Sequence, residues 1–260
     1  MVNVKKSVTV LKHFVLILTL SLMGYECAAQ TVVTIIEGKQ INVNENYPTK
    51  QEYEALVSPY RDKINKDLDA VLAICPETLD KSKGQWQSNI GNMLASVVLE
   101  KGNPVFNKRE NKNIDLCILN HGGIRAIMPQ GNVSARTAFE IQPFENSAIV
   151  VGIKGEQIAE FADYFVKEKK PHPTAGISFT ITVDNKVKDI KVNNEPLVLD
   201  KVYYVVTSDY LANGGDKMDF FKKNVSSTIL DYKLRNMLID YMKDVDTIKV
   251  NNEVRINQEK

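Results

Sequence analysis

Histidine is scarce in this chain: His13, His121 and His172 are the only three among 260 residues. A centre that holds two metal ions draws on many histidine, aspartate and asparagine ligands. No Asp-x-His or Asn-His-Glu run occurs. The chain therefore does not furnish such a centre from its own residues, and no catalytic residue is assigned to it. Cysteine is equally sparse, with Cys27, Cys75 and Cys117 alone. That number makes no disulfide framework, and Cys117, inside an apolar run, reads as a small buried hydrophobe. Neither sign of charge is in excess: 33 basic residues face 32 acidic ones. A nucleic-acid partner is not expected, because the basic stripe it requires is missing. Internal repeats and low-complexity segments are absent too. What remains is an ordinary globular composition, 43% hydrophobic and 25% charged, in a length that suits one sizeable domain or two small ones.

The longest apolar run lies near the N-terminus. Lys5, Lys6, Lys12 and His13 precede an apolar core from Phe14 to Met23, which is short for a bilayer span. Cys27-Ala28-Ala29 then offers small residues before Gln30. Residues 1–29 read as a signal peptide cleaved before Gln30, and residues 30–260 as the mature domain. The expected location is outside the cytoplasm, periplasmic or associated with the outer membrane. Two alternatives stay open. One is an uncleaved membrane anchor. The other is lipid attachment at Cys27, against which the charged Glu26 stands. Contact with a membrane is expected only in those cases.

Along the rest of the chain, residues 31–43 read as one or two strands around a turn at Glu37-Gly38-Lys39. Apolar residues from Tyr53 to Leu72 recur at helical spacing and predict an amphipathic helix over residues 51–74, laid on a core and kinked or split at Pro59. Ser88-Asn89 caps a second helix running to about Glu100, whose start is a candidate neighbour for an anion. Short helices begin near Ser134 or Thr137 and at Glu156. Residues 148–153, 176–183, 188–192 and 202–207 are β-type, with a hairpin turn at Asp184-Asn185. Residues 227–243 read as a final helix and 247–256 as an extended end. His172, between Pro171 and Pro173, reads as part of a surface turn. Helices and hairpin-joined strands interleave, so the expected class is α+β, a mixed β-sheet flanked by helices.

Two stretches carry the chemistry. In the first, the apolar run Leu116-Cys117-Ile118-Leu119 stops at Asn120-His121-Gly122-Gly123, with Arg125 following. In the second, the β-type run ending at Thr207 leads into Ser208-Asp209-Tyr210-Leu211-Ala212-Asn213-Gly214-Gly215-Asp216. Paired glycines at a strand end allow positive φ and close approach of backbone to a ligand. A nucleoside phosphate needs a cation, a carboxylate for ribose hydroxyls and flat apolar faces for the base. Arg125, Asp216, Phe144 and Tyr210 supply those types, and Asn120 can bond a base edge.

ILNHGGIRA, IQPFENSAIVVGIKGEQI and VVTSDYLANGGDKMDFF, with SNIGNML before them, resemble the C-terminal domain of the 5′-nucleotidase family, in that order. The resemblance implies a substrate-binding domain. Phe144 and Tyr210 would stack on the base, Arg125 would meet phosphate, Asp216 ribose and Asn120 the base, among Gly122, Gly123, Asn213 and Gly214. It also implies that a divalent metal pair and the catalytic residues belong to a separate metallophosphatase domain. The chain departs from the family in three places, one of them a tyrosine rather than a phenylalanine at the stacking position Tyr210. His121 stands where many members have a third glycine. Trp86 and Gln87 stand where many have an arginine. Two main readings follow: the nucleotide-binding half of a hydrolase working with a separately encoded metallophosphatase, or a non-catalytic binding protein for nucleosides or nucleotides. In a third, the site has decayed and the domain is structural.

Overall fold

The computed structural model describes residues 4–23 and 35–259. Cleavage before Gln30, lipidation at Cys27 and the start of the 31–43 stretch fall outside them. The chain divides into two compact units, residues 1–53 and 54–260. In the first, helix α1 is Val4–Met23, and residues 35–43, expected as strand, have no regular structure and lie exposed. No helix among the described residues is long and apolar enough to cross a membrane.

Helix α2 is Gln51–Asp69, and it departs from expectation twice. It stops five residues early, because Val71–Cys75 forms strand β1, paired antiparallel with β3, Gly131–Ser134. It also buries no residue: Tyr53, Leu56, Val57, Tyr60 and Ile64 are all exposed. Helical periodicity says which face is apolar, not what covers it. Pro59 lies within the helix without ending it.

Helix α3, Asn89–Glu110, follows strand β1 and continues past Glu100 through the exposed Pro104, anchored beyond it by buried Phe106. Then come β2, Leu116–Ile118; α4, Ala135–Ile141; β4, Ser147–Lys154; and α5, Gly155–Glu168. Strands β5, Thr174–Ala175, β6, Ile177–Ile181, β7, Val187–Val192, and β8, Glu195–Pro196, precede β9, Val202–Ser208. The short α6, Asp209–Ala212, leads to β10, Ser226–Lys233, α7, Leu234–Asp244, and β11, Ile256–Gln258. The expected final helix thus begins only at Leu234. Residues 226–233 are instead an edge strand on β4 that buries Leu230.

The central sheet has five strands in the order β10-β4-β9-β2-β5 and is mixed: β9 and β2 are parallel, the other pairs antiparallel. Alternation along its strands explains their continuous apolar character. Leu116, Ile118, Val151 and Val205 pack in a core with Phe161 and Phe165 of α5. Cys117, Val150 and Val206 pack in another with residues of α3 and α7. Helices cover both faces, so both registers must be apolar. A second sheet, β11-β6-β7-β8, adds Ile177, Phe179 and Ile181 to the α5 core.

Candidate functional site

The strand order gathers four loops at one end of the central sheet. β2 and β9 are parallel neighbours, Leu116 opposite Val205 and Cys117 opposite Val206, so residues 119–125 and 209–217 leave side by side. β4 begins at that end, Ala148 opposite Ser208, which brings Phe144 and Asn146 there. β5 begins there as well, Thr174 opposite Ile118, which brings Pro171-His172-Pro173. Ligands of open α/β sheets bind outside the carboxyl ends of parallel strands for this same topological reason.

Asn120, Gly122, Gly123, Arg125, Phe144, Asn146, Tyr210 and Asp216 line one cleft of about 350 Å³ at this end. That volume falls within the range of small-molecule pockets. Asp216 joins the bends. Asn120 Nδ2 donates to its Oδ2 at 2.7 Å, and Tyr210 Oη donates to its Oδ1 at 2.8 Å. Tyr210 Oη also accepts from the Asp216 backbone N–H at 3.1 Å, and Tyr164 Oη donates to the Asp216 carbonyl at 2.9 Å. The bond to the Asp216 carboxylate is the chief cause that raises the Tyr210 phenol pKa. Asp216 sits in the left-handed region at φ 52°, a conformation in which aspartate is among the better tolerated residues. Two glycines give way to side chains at close range. A Cβ on Gly215 would lie 2.5 Å from Cε1 of Tyr210, and one on Gly123 would lie 2.8 Å from Asn120 Oδ1.

Phe144, on the loop before β4, and Tyr210, in α6, are each 47% exposed. Arg125 is exposed, its guanidinium 5.9 Å from the Phe144 ring centroid and 3.4 Å from the Gly122 carbonyl. Its backbone N–H donates to the Ile141 carbonyl at 2.9 Å, which fixes where the side chain starts. Asn213 and Gly214 are not in the cleft. They line a shallower hollow with Asp209 and Gly215, against Tyr210 and Asn146, because the chain turns away before returning at Asp216.

Several residues that shape the site gave little sequence signal. Arg235 of α7, buried and stacked 4.0 Å from the Phe139 ring centroid, ion-pairs with Glu145 and donates to the Pro143 carbonyl at 3.3 Å. It thereby holds the loop that presents Phe144. His172 is 3% exposed, not a surface turn: proline on either side delivers it between the rings of Tyr164 and Phe165. Its Nδ1 accepts from the His121 backbone N–H at 3.2 Å, so the proton of the neutral ring resides on Nε2. Burial, with His121 adding, pushes its pKa down to about 4. His121 lies outside the first cleft, in a second hollow of about 440 Å³ behind Gly122 and Asp216. The capped start of α3 does not line the cleft: Ser88 accepts from the Gly91 N–H, and Asn92 bonds the carbonyls of Asn251 and Glu253. Trp86 is buried, and its indole N–H donates to Gln258 Oε1 at 2.7 Å.

Among the described residues, no group of three or more His, Cys, Asp or Glu side chains could hold a metal ion. The donor set among them does not fit a two-metal centre. Cys75 and Cys117 are buried free thiols. Burial raises both thiol pKa values.

Fold and cleft together define a mixed-sheet α+β domain with a cleft at its parallel strand ends. The chain belongs to the family described as 5′-nucleotidase, C-terminal domain, which matches residues 72–223. It is 25% identical to Protein UshA of Escherichia coli strain K12 over 174 residues, 64% of this chain and 30% of that protein. It is 26% identical to the 5′-nucleotidase of Vibrio parahaemolyticus over 208 residues, 74% of this chain and 34% of that one. The chain thus spans about a third of the length of these curated relatives. The crystal structure of a 5′-nucleotidase precursor from Thermus thermophilus shares the fold, with a TM-score of 0.67 and 23% identity, over 79% of this chain and 42% of that chain.

Proposed function

We propose that this chain is the nucleoside- or nucleotide-binding half of a 5′-nucleotidase-type hydrolase and works with a separately encoded metallophosphatase. The observation that carries the reading is the single cleft lined by Asn120, Arg125, Phe144, Tyr210 and Asp216. In it the base stacks between Phe144 and Tyr210, and Asn120 bonds the base edge. Asp216 accepts from the ribose hydroxyls, and Arg125 meets the phosphate. Each Asp216 oxygen already accepts one bond, and a carboxylate oxygen has a second lone pair to offer. The metal pair and the attacking water are the partner's contribution, and this chain binds and orients. Residues 1–29 act as a signal peptide, so both chains meet outside the cytoplasm, in the periplasm or at the outer membrane.

The test is hydrolysis of AMP with divalent metal present. This chain alone is expected to give none. Adding a secreted metallophosphatase that lacks such a domain, encoded beside this chain, is expected to produce turnover. Robust hydrolysis by the chain alone would overturn the division of labour. Nucleoside binding without turnover in any mixture would leave the alternative, a non-catalytic binding protein.

A further inference from the structure

The second hollow, of about 440 Å³, has no part in the reading of the cleft. Its lining is graded in depth. His172 is buried, His121 and Tyr164 are half-buried, and Lys170 and Lys217 are exposed. Gly122 and Asp216 form the wall that it shares with the cleft. Four buried side-chain atoms among the described residues lack a hydrogen-bond partner. Two of them belong to residues of this hollow: Nδ1 of His121 and Nε2 of His172. Buried polar groups are rarely left unpaired, so two on one hollow call for an occupant.

The bonds already made fix what each nitrogen offers. His172 Nδ1 accepts from the His121 backbone N–H, so Nε2 carries the ring proton and is a donor. Protonated there, it has no lone pair for a metal ion. Burial, and after it the charge of Lys81, lower the His121 pKa, against a hydrogen bond to the Pro171 backbone. Proline has only a carbonyl to offer, so the ring donates that bond. Nδ1 takes no part in it and is a bare acceptor. Tyr164 is engaged with the Asp216 carbonyl, and the Asp216 carboxylate with Asn120 and Tyr210. Glu168 accepts from Lys170 at 3.1 Å, while Lys217 forms no ion pair among the described residues.

The hollow thus presents a buried donor, an acceptor beside it, and two ammonium groups against one paired carboxylate. An oxyanion that still carries a proton matches this set. Its oxygens accept from Nε2–H and the ammonium groups, and its O–H donates to Nδ1. At neutral pH inorganic phosphate keeps such a proton, sulfate has none, and a phosphate monoester has mostly lost its own. We propose that this hollow is a site for inorganic phosphate, distinct from the cleft, in which His172 Nε2 donates to a phosphate oxygen and His121 Nδ1 accepts the phosphate O–H. Lys170 and Lys217 supply the charge from the exposed side. The proposal does not rest on what the cleft binds. Hydrolysis of a phosphate monoester releases inorganic phosphate, and the site lies one wall from the proposed substrate cleft.

The experiment is ¹H–¹⁵N NMR of the histidine rings in the full chain at neutral pH, titrated in turn with inorganic phosphate, sulfate and glycerol phosphate. Phosphate is expected to shift His172 Nε2–H and His121 Nδ1 together. Its affinity is expected to be about tenfold above that of either other anion, the effect of one hydrogen bond to a charged group. His121→Leu removes the acceptor and keeps the backbone N–H that orients His172. It is expected to bring phosphate and sulfate within about twofold of each other. Lys217→Gln, at an exposed position, is expected to weaken phosphate about threefold and to keep its preference over sulfate. If neither ring responds to phosphate, the hollow holds water alone and the proposal fails. It fails if sulfate or glycerol phosphate binds the parent as tightly, because the lysines then gather any anion. A preference for phosphate that survives His121→Leu overturns it as well. His121 and His172 do not line the cleft, so each of these failures leaves the nucleoside reading standing.

Discussion

Phe144 and Tyr210 are held differently, and the difference bears on what each does. Tyr210 is fixed by its hydroxyl, which bridges the side chain and backbone of Asp216, and by Gly215, which leaves room for its ring. Phe144 has no such handle and depends on the loop that carries it. Stacking on a base contributes about 1–3 kcal/mol for each aromatic. Phe144→Ala and Tyr210→Ala are each expected to raise the Kd for adenosine at least fivefold, measured by titration calorimetry. Parent-like affinity in both would remove the base clamp. The Tyr210 variant is expected to lose more, since it also releases Asp216. Tyr210 and Asp216 drew notice in the sequence beside paired glycines after a β-type run, and Phe144 as the one exposed aromatic of a loop. Asn146 and His172 were not legible. An asparagine before a strand and a histidine between prolines acquire meaning only from what the sheet places opposite them.

At the scale of elements, α7 does for the Phe144 loop what no residue within that loop can do. Arg235 reaches from the first turn of the helix to Glu145 and to the carbonyls of Gln142 and Pro143. Lys233 pairs with Glu145 as well. In Arg235→Met the packing volume stays and the bonds go. The expected outcome is a loss of about 1–3 kcal/mol in unfolding free energy, faster amide exchange over residues 142–146, and weaker adenosine binding. Unchanged exchange in that loop would show that the helix does not hold it. The same region shows where sequence patterning reached its limit. Residues 227–233 read as helix because their apolar positions suit either period. Pairing with β4 decided the matter, and pairing is a tertiary fact. Likewise β1 was read into the end of α2, because its partner β3 lies some sixty residues further on. By contrast, β4 and β9 were plain from their continuous β-branched runs, which only a strand covered on both faces explains.

For the molecule as a whole, the buried His172 couples folding to pH. Its neutral ring lies between aromatics, with His121, Lys170, Glu168 and Asp216 as its charged or titratable neighbours. The folded pKa of about 4 lies below the ordinary value of 6.5. The unfolded chain therefore binds the proton first, and stability present above about pH 6.5 is lost as pH falls toward 4. Urea unfolding of the parent and of His172→Gln across that interval is expected to show a steeper acid decline in the parent. Parallel curves would mean that His172 is not protonated on unfolding. The parallel pairing of β2 with β9 bears on how this protein changes over time. The bends that carry Arg125 and Asp216 rise from strands locked at one ladder spacing. Mutation can recolour the rims of the cleft readily, but it cannot widen the interval between them without breaking the sheet. Descendants that take up a new ligand must therefore do so with different side chains on an unchanged footing.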